Sequence, residues 1–141
     1  SALVVRFVEH RDRIYQALLA PVGAVLALGA VGFVAAWAIG PWILKLGFKP
    51  ELFVDGRTLA LLTLASAFMG MLMITGVAVL ALEQHVWYVA GWVVASIVAF
   101  AVLFTSPWAV ATAVVVALYV GPLAGAVVHV AGLARARVEV A

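Results

Sequence analysis

From Thr58 to Leu82 the chain carries no Asp, Glu, Lys or Arg, and from Val86 to Ala134 the same holds over roughly twice that distance. A helix crossing a hydrocarbon core needs about 20 apolar residues. These runs reach that length once and then twice over. A third charge-free run, Ile14 to Leu44, lies nearer the N-terminus. The chain is 68% hydrophobic and 10% charged over 141 residues, whereas a soluble domain carries about 25% charged residues and needs them to cover its surface. Lipid, rather than water, must therefore wet most of this molecule. The expected class is an all-α membrane protein, a four-transmembrane-helix bundle with the lipid bilayer as its first partner.

The spans follow from the interruptions. Residues 1–16 mix apolar Leu3, Phe7 and Ile14, at a helical spacing that continues to Leu18, with Arg6, Glu9, Arg11, Asp12 and Arg13. This pattern predicts an amphipathic helix on the membrane surface or a juxtamembrane connection after an earlier span. Residues 17–134 form the expected transmembrane bundle. Its first crossing is placed at 20–44, with Pro21 in the first helical turn, where proline is tolerated, and Pro41 near the end. A polar stretch from Lys45 to Arg57 follows, broken by Gly47, Pro50 and Gly56. The second crossing, 59–82, is the most secure. Its eleven Leu, Ile, Val and Phe residues favour insertion by about 3 to 7 kcal/mol. Glu83-Gln84-His85 makes a short polar turn, so the helices it joins must be antiparallel neighbours. Thr105-Ser106-Pro107 divides the long final run, because the residue before a proline avoids helical geometry. The third and fourth crossings are thus 86–104 and 108–133, and 135–141 is a tail.

Charge sets the expected orientation. With four spans both termini share one side, together with Arg6, Arg11, Arg13, Arg135 and Arg137; the opposite side holds Lys45, Lys49 and Arg57. The basic excess places the termini and the 135–141 tail in the cytoplasm, and the expected location is the cell (inner) membrane. Trp42, Trp87, Tyr88 and Trp108 fall where aromatic belts form. A net charge of +2 does not point to nucleic acid, because the basic residues flank apolar runs instead of forming a stripe with aromatics.

In lipid, apolar surface gives no net drive for helix association, and small residues that let backbones approach closely do much of that work. Each span has such a face: Gly29, Gly32, Ala36 and Gly40 in the first; Thr63, Ser66, Ala67 and Gly70 in the second; Gly91, Ala95 and Ala99 in the third; Gly121, Gly125, His129 and Gly132 in the fourth. The expected helix-packing residues are Gly29, Gly32, Gly70, Gly121 and Gly125. Gly121 and Gly125 form the clearest small-xxx-small pair.

His129 shares that glycine face. An ionisable residue inside a span invites a role in proton coupling or substrate contact. The plainer reading takes it to the interface, about one and a half turns from Arg135. Glu83 and His85 are either a proton-linked pair or a solvated turn. Thr63, Ser66 and Thr75 either line a pathway or bond their own backbone. Met69, Met71 and Met73 do not share one face and read as packing. No cysteine is present, and no paired carboxylates, His cluster, phosphate loop or nucleophile elbow occurs within the spans. No enzymatic activity, cofactor or metal is expected.

The order of features resembles the C-terminal helices of bacterial polysaccharide-biosynthesis membrane proteins, the lipid-linked oligosaccharide flippases of the multidrug/oligosaccharidyl-lipid/polysaccharide exporter superfamily. The resemblance runs through the basic stretch Arg6 to Arg13 before a proline-containing span, the Gly40-Pro41 ending with its apolar continuation to Phe48, the charged connection Glu51 to Arg57, the span ending in Ala81-Leu82, and the His85 turn. The chain differs in having Glu83-Gln84 where the family often has a Gly-Arg type of turn. The resemblance implies the last four spans of the second lobe of a larger transporter with cytoplasmic termini. Its partners would be the remaining helices and a lipid-linked sugar; no binding residue is implied. The alternative is an independent four-span scaffold or assembly subunit that forms a homo-oligomer. The chain opens on Ser1 instead of Met, which favours a piece of a longer protein.

Overall fold

The computed structural model describes the backbone of residues 2–52 and 54–140 and the side chains of residues 16–51 and 54–136. The side-chain pattern expected for residues 1–15, including Arg6, Arg11 and Arg13, lies outside the described residues, as do the side chains of 137–141.

The described residues form four long helices and no strand: α1 (Ala2–Gly47), α2 (Gly56–Ala81), α3 (His85–Thr105) and α4 (Val110–Val140), with a 3₁₀ turn at Pro50–Leu52 between the first two. All four contain stretches long and apolar enough to cross a membrane: Gln16–Gly47, Gly56–Ala81, His85–Thr105 and Val110–Ala136. The protein is an all-α four-helix bundle and a multi-pass membrane protein.

Two boundaries add to the sequence reading. Residues 2–16, read as an amphipathic helix or a juxtamembrane connection, are continuous with the first crossing in the single helix Ala2–Gly47. Pro21 therefore stands in the interior of α1 and not in its first turn. It deprives the Ala17 carbonyl of its helical partner, a loss that membrane helices absorb locally. At about 1.5 Å per residue α1 is roughly 70 Å long, more than twice a hydrocarbon core of about 30 Å, so it projects well beyond the bilayer. At the other end, the residues expected as a tail extend α4 to Val140.

The turns are built from local chemistry. Helix α2 stops in a C-terminal motif in which Glu83 N–H donates to the Leu80 carbonyl at 2.9 Å and Gln84 N–H to the Val79 carbonyl at 3.1 Å. Glu83 adopts φ 59°, the left-handed position that glycine usually fills in this motif. Helix α3 ends before Pro107, with Ser106 extended at φ −66°, ψ 132°. The Ser106 hydroxyl accepts from Trp108 N–H at 3.0 Å.

Each helix packs mainly against one or two others. Helix α2 packs against α1 on one side and α4 on the other, and α3 packs against α4. In space the row runs α1–α2–α4–α3, and the central pair, α2 and α4, is parallel. The interior is made largely of small residues, with Ala60, Ala65, Ala67, Ala95, Ala113, Ala117 and Ala126 all buried around the larger Leu72, Val79 and Leu133. Leu28, Val34, Trp37, Ile97, Phe100 and Phe104 face outward. Water would drive these bulky side chains inward. An alanine and glycine interior beneath a coat of large apolar side chains is the arrangement expected when acyl chains are the solvent.

Candidate functional site

The two outer helix pairs are zipped by their glycines. A methyl group at Gly29 would fall 2.5 Å from Ala67 Cβ, at Gly32 2.8 Å from Thr63 Cγ2, and at Gly70 2.9 Å from Val25 Cγ1, all across the α1–α2 contact. Across α3–α4, a methyl at Gly121 would meet the Ala95 carbonyl at 2.9 Å, and one at Gly125 the Gly91 carbonyl at 2.6 Å. The five glycines singled out by spacing thus all stand where two helices touch. Their partners in α3 are Gly91, Ala95 and Ala99, read from the sequence as that helix's small face.

The polar bonds inside the bundle are few. Thr63 and Ser66 hydroxyls donate to the carbonyls of Leu59 and Leu62 in their own helix, at 2.8 and 3.3 Å. The Tyr119 hydroxyl crosses from α4 to α2 and donates to the Leu61 carbonyl at 2.7 Å. The Tyr119 ring meets Phe68 edge-on, with centroids 5.1 Å apart. Sequence reasoning gave Tyr119 no role.

His129 is fully buried where α2, α3 and α4 converge, and it does not reach the interface. Its Nδ1 lies 2.9 Å from Thr75 Oγ1 of α2, and its Nε2 lies 3.1 Å from the Tyr88 carbonyl of α3. The Tyr88 ring stacks parallel to the imidazole at 6.0 Å between centroids. Space for the imidazole comes from Gly91, where any side chain would run into the ring at Nε2 and Cδ2, and from Gly76, where a methyl would sit 3.3 Å from Cε1. The cluster joins His129 and Thr75, which the sequence reading treated separately, and adds Tyr88, Gly76 and Gly91. The backbone acceptor on Tyr88 left no mark in the sequence.

The other polar candidates lie apart. Glu83 and His85 are exposed at the α2–α3 turn, and Met73 faces outward. Asp55 precedes α2, and the Thr58 hydroxyl donates to its carboxylate at 2.5 Å. That bond holds the Asp55 carboxyl below its ordinary value of 3.8. Among the described residues no group of three or more His, Cys, Asp and Glu side chains is close enough to hold a metal.

An apolar furrow of about 690 Å³ lies beside this cluster, where α1 and α4 stand apart over α2. Leu19, Val22 and Leu26 of α1 face Leu123, Val127 and Val130 of α4 across it, and Met71 and Thr75 belong to its floor. Gln16 supplies the other polar side chain in the lining.

The chain is 43% identical over 133 residues to a Mycobacterium tuberculosis protein named "Uncharacterized protein Rv1510". It is 41% identical over 133 residues to a Mycobacterium bovis protein named "Uncharacterized protein Mb3654". Each alignment covers 94% of this chain and 31% of the relative, so the chain spans about a third of the length of the relatives it matches. No family model matches the chain. No solved structure matches it.

Proposed function

We propose that this chain is part of a longer membrane transporter that carries a lipid-linked sugar, such as an oligosaccharide or polysaccharide precursor, across the cell membrane. The furrow between α1 and α4 carries this reading. Its walls are mostly aliphatic, and its lining residues belong to the crossing stretches of α1, α2 and α4. Such a surface accepts the hydrocarbon tail of a lipid-linked molecule, because its aliphatic walls offer dispersion contact and, apart from Gln16 and Thr75, demand no hydrogen bond. The chain would contribute binding surface and movement, with no covalent chemistry. The order of sequence features supports the flippase assignment, and the greater length of the relatives supports a larger assembly. The termini would face the cytoplasm, on the side with the basic excess.

The test is transbilayer movement of a fluorescent polyprenyl-linked oligosaccharide in liposomes reconstituted with the natural full-length protein. The expected result is movement above protein-free liposomes, reduced several-fold by Val127→Trp, which fills the furrow. Movement no faster than in protein-free liposomes sinks the proposal.

An independent four-span scaffold has one observation in its favour. Helices α1 and α3 present long uncovered apolar faces on which a second copy could pack. A stable homo-oligomer of the isolated chain, together with no transport, selects that reading.

A further inference from the structure

Three side chains in the charge-free stretches 58–82 and 86–134 can titrate: Tyr88, Tyr119 and His129. From α2, His129 is faced by Thr75 and Gly76; from α3, by Tyr88 and Gly91. Tyr88 is the one titratable group among these neighbours, and no carboxylate or cationic side chain stands among them.

The hydrogen-bond geometry restricts where protons can sit. A carbonyl can only accept, so the 3.1 Å contact with the Tyr88 carbonyl requires a proton on Nε2. The tautomer with its proton on Nδ1 alone would set two lone pairs against each other there. Thr75 Oγ1 has two possible partners for its single proton: His129 Nδ1 at 2.9 Å and the Leu72 carbonyl at 3.0 Å. With His129 neutral, the hydroxyl donates to Nδ1. With His129 protonated, Nδ1–H donates to Oγ1 and the hydroxyl turns to the Leu72 carbonyl. Both states are fully hydrogen-bonded with the same heavy-atom positions, and only the hydroxyl hydrogen moves.

We infer that His129 is a proton-binding site inside the bundle, with Thr75 as a reversing hydroxyl that serves its neutral and its protonated form. The step is addition of one proton to the Nδ1 lone pair. One O–H···N bond is exchanged for one N–H···O bond and one O–H···O bond, and no covalent bond between heavy atoms changes. The parallel Tyr88 ring offers its electron-rich face to the imidazolium at 6.0 Å. Thr75 also belongs to the floor of the α1–α4 furrow. Proton binding at His129 needs no lipid-linked cargo, although Thr75 also lines the furrow proposed to hold one.

The experiment is solid-state NMR of the protein in lipid bilayers, with ¹⁵N-labelled histidine and ¹³C-carbonyl leucine, across the pH range over which the fold persists. The expected result is a neutral His129 with its proton on Nε2 at alkaline pH and protons on both nitrogens at acid pH. The Leu72 carbonyl resonance should shift over the same pH interval. Thr75→Ser should keep that coupled shift and Thr75→Val should lose it. If Thr75→Val does not fold, the wild-type and Thr75→Ser spectra decide. A His129 that holds one protonation state throughout overturns the inference. So does a Leu72 carbonyl that ignores His129 titration, or a Thr75→Val protein that retains the Leu72 shift.

Discussion

The imidazole of His129 occupies the space that glycine leaves at position 91, so closely that a methyl group on Gly91 would overlap Nε2 and Cδ2. The ring is held at both nitrogens and stacked on Tyr88, and it has no free direction in which to yield. Gly91→Ala is expected to break the Nε2 bond to the Tyr88 carbonyl and to destabilise the protein by about 1 to 3 kcal/mol, the usual range for overpacking. Unfolding in detergent, followed by circular dichroism, measures the loss. A variant as stable as the parent would show that the imidazole is less constrained than its contacts imply.

The turn after α2 asks for a left-handed residue and receives Glu83 at φ 59°. A side chain in that conformation costs about 1 to 2 kcal/mol, and glycine loses part of the advantage through its freer unfolded state. Glu83→Gly should therefore stabilise the fold by about 0.5 to 1 kcal/mol, read as a raised midpoint of thermal unfolding in detergent. A lowered midpoint would mean that the carboxylate makes a favourable interaction outweighing its backbone strain.

Tyr119 ties α4 to the Leu61 carbonyl of α2. Tyr119→Phe keeps the edge-on contact with Phe68 and removes only the hydroxyl. Hydrogen bonds between membrane helices average about 0.6 kcal/mol, so a loss of about that size is expected. Faster amide hydrogen exchange around Leu61 should accompany the loss. Unchanged stability and exchange would indicate that the Leu61 carbonyl needs no second donor.

At the start of α2 the Thr58 hydroxyl stabilises the charged form of Asp55. Its folded value lies below 3.8, so the associated stability is fully present above the ordinary carboxylate range and disappears as pH falls through the lowered folded value. Asp55 is exposed, which keeps the effect small and local. Amide exchange of Arg57 to Leu59, corrected for its intrinsic pH dependence, should lose protection below about pH 4. Asp55→Asn should remove the transition, and its persistence in that variant would assign it to another group.

The four-helix class was legible because lipid imposes a long-range rule on composition: charges must stay out of about 20 consecutive residues at each crossing. The glycines 29, 32, 70, 121 and 125 were legible for a related reason, since only small side chains permit close backbone approach. The continuity of α1 was not legible. Helical spacing from Leu3 to Leu18 announced a helix there, but no local signal says whether two helical segments are joined into one. Proline at position 21 misled in the same way, as neighbouring helices and local adjustments let a membrane helix continue through it.

His129 shows where sequence stops and tertiary structure begins. Its place on a glycine face followed from helical spacing, a property of one chain segment. Its burial, its bond to Thr75 54 positions earlier and its bond to the Tyr88 carbonyl depended on the row order α1–α2–α4–α3. Hydropathy is blind to that order, since every crossing helix is equally at home in acyl chains. Only the fit of one small-residue face against another selects the neighbours, and that fit exists in three dimensions alone.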